Sequence, residues 1–120
     1  MAEERDVTLG ASTPVLSPQE REIDAWRRRI DQIDSQLMGL LNSRSACAVE
    51  IGKLKHALGL PVYNAEREKA ILERVMRDNP GPLDPTAVKR VFERIIDEGR
   101  RLERVAAENP EAEAETQKKE

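Results

Sequence analysis

The chain has 120 residues, of which 38% are apolar and 36% charged, with a single Trp, Tyr and Phe and a net charge of -3 at neutral pH. So few large side chains exclude an aromatic-rich all-β core and suit amphipathic helices, and they leave one subunit little to bury unless a second copy covers it. The acidic balance excludes a surface built to hold nucleic acid or an anionic membrane. Cys47 is the single cysteine, so no internal disulfide forms, and a free thiol fits a reducing compartment. The first residues lack the apolar run of a signal peptide or membrane span, so a cytoplasmic location is expected.

Residues 1–17 mix small, polar and charged types without period and read as a flexible arm. Helical patterning then begins. Ser17, Pro18 and Glu20 form a capping box with proline in the first turn. Ile23, Trp26, Ile30, Ile33, Leu37, Leu40, Leu41, Ala48, Ile51 and Leu58 follow at helical spacing, and Gly59 with Pro61 ends the run. A helix over this stretch is about 60 Å long, too long for a compact domain of this size. It must project or pack along a partner. A second helix is expected from the cap Asn64 to about Arg77, ended by Asn79-Pro80-Gly81-Pro82. A third starts at Asp84 and Pro85 and carries Val88, Val91, Phe92, Ile95, Leu102 and Ala106 on one face. Residues 108–120 are rich in Glu, Ala and Lys and read as a disordered tail. The expectation is an all-α fold: one domain over 18–107, with three helices and a very long first one.

Several charges fall on the apolar faces. With Ile30 at zero and about 100° per residue, the first stripe spans roughly 280° to 20°, and Arg44 and Lys55 stand near 320° and 340° within it. Lys and Arg are rarely buried unpaired. One such residue is as often a snorkelling or internally paired side chain as a ligand group. Two on one face point to a pocket for an anion. Arg27 precedes Arg44 by about 25 Å along the axis and faces about 100° away. It fits an equivalent pocket of an antiparallel second subunit, or else is a plain surface arginine of the Arg27-Arg28-Arg29 run. On the second helix Glu68 lies on the apolar face with Arg67 at its edge. On the third, Glu103 shares the angle of Phe92 and Ile96, one turn after Gly99, whose lack of a side chain gives room. No His/Cys cluster, Gly-rich phosphate loop or Ser/His/Asp set is present. The expected chemistry therefore uses no metal and no cofactor.

Four stretches together carry a resemblance: Trp26-Arg27-Arg28-Arg29-Ile30-Asp31-Gln32-Ile33-Asp34, Leu40-Leu41-Asn42-Ser43-Arg44, Ile51-Gly52-Lys53-Leu54-Lys55, and Pro61-Val62-Tyr63-Asn64-Ala65-Glu66-Arg67-Glu68. Over Ile23 to Glu103 the chain resembles the all-helical chorismate mutases of the intertwined dimeric type. The resemblance implies a homodimer of three-helix chains that converts chorismate to prephenate in phenylalanine and tyrosine biosynthesis. By the same resemblance, Arg44 and the other subunit's Arg27 bind the two substrate carboxylates. Lys55 contacts a carboxylate and the ether oxygen. Glu68 and the backbone near Asn64 hold the ring hydroxyl, and Arg67 supports the site. Asn64 stands where the family often has an acid, Glu103 where many members have Gln, and Gly99 where Ser is frequent.

The reaction breaks a carbon–oxygen bond as a carbon–carbon bond forms. Arginines on both carboxylates hold the substrate in the folded chair-like shape it needs. A cation at Lys55 meets negative charge that grows on the ether oxygen. Glu103 donates to that oxygen only when protonated, so turnover is expected to fall toward alkaline pH. Two rivals remain: an isochorismate pyruvate lyase, from which Glu68 distinguishes the chain, and a non-enzymatic helical dimerisation module, which leaves Arg44, Lys55 and Glu68 unexplained. The resemblance also leaves open an activating pathway enzyme, known for small members of the family.

Overall fold

The computed structural model describes residues 15–109, which form three helices: α1 (Pro18–Leu58), α2 (Ala65–Asp78) and α3 (Pro85–Glu108). No strand occurs among the described residues. Except for residues 15–17 and 108–109, the expected arm and tail lie outside the described residues. No described helix is long and apolar enough to cross a membrane.

Each helix begins and ends for a local reason. At the start of α1 the Ser17 N–H donates to Glu20 Oε1 at 2.7 Å, and the Glu20 N–H donates to Ser17 Oγ at 3.1 Å. This reciprocal box satisfies two of the three donors open at this start, since Pro18 has no N–H. At the other end Gly59 adopts φ +67°. The Leu60 N–H reaches the Lys55 carbonyl at 2.8 Å and the Gly59 N–H reaches that of His56 at 3.2 Å. These two bonds make a Schellman closure, which needs a left-handed residue that glycine supplies without strain. Asn64 caps α2 by accepting from the Arg67 N–H at 3.0 Å. Asp84 caps α3 by accepting from the Ala87 N–H at 2.8 Å, with Pro85 in the first turn.

The chain divides between Leu37 and Met38 into two units. In the first, the described residues are helix from Pro18 onward, and Ile23, Trp26, Ile30, Ile33 and Leu37 all stay exposed. In the second, α2 packs against α3, and the closing turns of α1 cross α3. Gly52 marks the crossing: a Cβ there would stand 2.8 Å from Glu103 Cα and 2.9 Å from its carbonyl carbon. Only glycine permits so close an approach. The buried apolar residues of this unit are small or medium: Ala48, Val49, Ile71, Val88, Ile96 and Ala106. Val91, expected on the buried face of α3, is exposed, and Ile96 and Gly99 complete that face instead. The stripe is rotated toward the side where α1 crosses.

Candidate active site

Within the second unit the three helices enclose a cavity of about 320 Å³. That volume suits a small metabolite. The last turns of α1 supply Arg44 and Lys55, with Cys47 and Ile51 between them. The start of α2 supplies Asn64, Arg67 and Glu68, and α3 supplies Gly99, Arg100 and Glu103. Helical periodicity explains the grouping. Arg44, Ala48, Ile51 and Lys55 recur at spacings of three and four, as do Ile96, Gly99 and Glu103, so each set shares one face.

Lys55 is anchored twice. Its ammonium donates to the Val62 carbonyl at 2.6 Å and to Glu103 Oε1 at 2.7 Å. An ammonium has three donors, so one remains for a ligand. Glu68 is gripped by Arg100, whose Nε donates to Oε2 at 2.8 Å and whose Nη2 donates to Oε1 at 3.3 Å. Arg100 Nη2 also donates to Asp97 at 2.7 Å, and the guanidinium lies 5.6 Å from the centre of the Tyr63 ring. The hydrogen bond to Glu68 chiefly, reinforced by the charges of Glu68 and Asp97, pushes the Arg100 guanidinium above its ordinary value. It is a fixed charge.

Arg44 passes beside Gly99, where a Cβ would stand 3.0 Å from its Nη1. Glycine at 99 therefore leaves the guanidinium its place. Among the described residues neither Arg44 nor Arg67 has a carboxylate partner. The cavity lining thus carries four cations (Arg44, Lys55, Arg67, Arg100) against two carboxylates (Glu68, Glu103), a surplus of two positive charges. Both carboxylates are already bound to one cation each, so the surplus resides on Arg44 and Arg67. Such a pocket can hold a small dianion with charge-assisted bonds.

Of the residues singled out from the sequence, Arg44, Lys55, Asn64, Arg67, Glu68, Gly99 and Glu103 line this one cavity. Arg27 does not. It stands in the first unit, its side chain 74% exposed, with Asp24 at 3.8 Å. Asn64 points its side-chain oxygen back at its own helix as the cap. Arg100 and Cys47 also line the cavity and were not expected. A signal for Arg100 existed: it follows the buried Ile96 by one helical turn, about 40° away around α3.

The described residues are all-helical around a pocket of net positive charge that can take a small anion, and this defines the class. Residues 26–104 match the family model of chorismate mutase type II, and the chain belongs to that family. A bifunctional chorismate mutase/prephenate dehydratase of Pseudomonas aeruginosa is 39% identical over 80 residues, 62% of this chain and 22% of that protein. This chain therefore spans about a fifth of the length of such bifunctional relatives. The chorismate mutase of Methanocaldococcus jannaschii is 29% identical over 65% of this chain and 80% of its own length. Among solved structures, chorismate mutase (form II) of Thermus thermophilus superposes with a TM-score of 0.67 at 33% identity, over 68% of this chain and 93% of that one.

Proposed function

We propose that residues 18–107 form a chorismate mutase domain that converts chorismate to prephenate, acting as an intertwined homodimer in the cytoplasm without metal or cofactor. The observation that carries this reading is the net positive charge of the cavity, left on Arg44 and Arg67, which suits an anionic substrate. Membership of the family and the names of the relatives support it.

The geometry supports a role for each residue. Arg44 takes one carboxylate, and Arg67 stands ready near the same cavity. Arg27 of a second subunit takes the other carboxylate. These contacts fold the substrate so that its reacting carbons meet. Lys55, already aimed by Val62 and Glu103, turns its remaining donor on the ether oxygen. The carbon–oxygen bond then lengthens and the carbon–carbon bond closes in one step, with no proton gained or lost overall. Lys55 gains most when charge on that oxygen is greatest, which is the condition for speeding the reaction. Glu68 accepts from the ring hydroxyl, beside the backbone near Asn64, and Gly99 leaves room for Arg44.

The test is loss of chorismate with the purified chain, with products identified. Prephenate is the expected product. Salicylate and pyruvate from isochorismate, with chorismate untouched, would move the chain to the lyases. Turnover of neither would refute catalysis by the chain alone and favour a dimerisation module or a missing activating enzyme.

A further inference from the structure

The grip of Arg100 on Glu68 serves more than the fold. We propose that Arg100 is a positioning residue that fixes the Glu68 carboxylate for the substrate's ring hydroxyl and so sets the chain's selectivity for that hydroxyl. This rests on the mutase reading.

The two residues come from different helices, α3 and α2, and their contact lies on the cavity wall. The last torsion of a glutamate is soft, so a lone carboxylate rotates over a broad range. Here both oxygens are held by one planar fork, at 2.8 and 3.3 Å. A bidentate grip of this kind fixes the plane of the carboxylate as well as its place. The fork is itself fixed, by Asp97 on one nitrogen at 2.7 Å and by the Tyr63 ring at 5.6 Å. Each Glu68 oxygen gives up one acceptor position to Arg100. A carboxylate has about four, so positions remain for a hydroxyl donor.

A site built to bond a hydroxyl discriminates strongly against analogues that lack it, but only while the acceptor is held in place.

The experiment compares the full chain with Arg100→Met, Arg100→Lys, Glu68→Gln and the Arg100→Met/Glu68→Gln double variant. For each, kcat/KM is measured on chorismate and on the analogue with hydrogen in place of the ring hydroxyl. Arg100→Met is expected to lower kcat/KM on chorismate about 10- to 100-fold, the range for a lost charged hydrogen bond. The loss on the analogue should stay under about threefold, as should the loss from Arg100→Met in the Glu68→Gln background, because the coupling is then gone. Arg100→Lys keeps the charge but not the fork, and should recover part of the selectivity. Equal losses on both substrates, or an undiminished loss in the Glu68→Gln background, would overturn the proposal and leave the mutase reading intact. If Arg100→Met does not fold, Arg100→Lys decides alone: selectivity equal to wild type overturns the role. Failure of the wild-type chain to turn over chorismate overturns the mutase reading, and the role of Arg100 with it.

Discussion

Lys55 and Glu103 hold each other on the cavity wall, each with a side chain 18% exposed. The pair explains how a half-buried lysine is tolerated and why it is aimed. It also gives the two residues separable roles. Lys55→Met removes the cation that meets the ether oxygen, and kcat should fall about 10²- to 10³-fold, as for other preorganised donors. Glu103→Gln should behave differently. Its amide keeps an oxygen that can accept from Lys55 and adds an N–H that can donate to the ether oxygen. Turnover should survive in Glu103→Gln and fall in Glu103→Ala, which can do neither. Equal kcat on chorismate in the two variants would remove Glu103 from the reaction. Lys55, Arg44, Glu68 and Glu103 were legible in the sequence because each breaks an apolar stripe, and helical period turns such a break into a face. Arg100, at the edge of its stripe one turn after Ile96, gives only a weak signal, and its grip on Glu68 gives none, because Glu68 lies on another helix, 32 residues away in sequence. Spacing along one helix carries no sign of such a contact.

The helix ends show what local chemistry can and cannot announce. Ser17, Asn64 and Asp84 each bind the backbone N–H three residues on, as their residue types foretell. The box at Ser17 has a pH signature. The Glu20 carboxyl is held below its usual range by the Ser17 backbone N–H first and the Ser17 hydroxyl second. A depressed carboxylate contributes to folding above its unfolded titration, and that contribution is lost as pH falls through the folded one. The first turn of α1 should therefore loosen on acidification. The Ser17 amide resonance should show an inflection in acid that Glu20→Gln abolishes. The crossing of α1 over α3 was hidden, because a glycine inside a helical pattern reads only as a small local cost. Gly52→Ala would push into the backbone of Glu103, which cannot swing aside as the end of a side chain can. The expected cost is about 1–3 kcal/mol, read as a fall in Tm of about 4–8 °C per kcal/mol. Gly99→Ala meets the end of the Arg44 side chain at 3.0 Å and makes an ordinary contact with Ala48 Cβ at 4.0 Å. It should leave Tm nearly unchanged and weaken substrate binding instead, so the pair of variants separates fold from site.

At the scale of the whole molecule the apolar balance of one chain is incomplete. No large side chain is fully buried among the described residues, while Trp26 is 66% exposed and Leu40 69% exposed. Helix α1 has 41 residues, and Ile23, Trp26, Ile30, Ile33 and Leu37 along it are exposed. An uncovered stripe of this kind calls for a second copy, and closed twofold pairing is the commonest solution. In the proposed dimer, Arg27, exposed and outside the cavity lining, would serve the partner's site. A complementation experiment tests both points together. Arg27→Ala and Lys55→Met chains should each be inactive alone. When the two are unfolded, mixed in equal amounts and refolded, half of the dimers are mixed. One site of each mixed dimer receives its Lys55 from one chain and its Arg27 from the other, and so is whole. Its second site carries both defects. Turnover should thus return to about a quarter of wild type, the fraction that random twofold pairing dictates. No recovery, with a dimer present by sedimentation, would mean that each site takes both residues from one chain. A monomer in sedimentation that still turned over chorismate would show that neither α1 pairing nor Arg27 of a partner is needed.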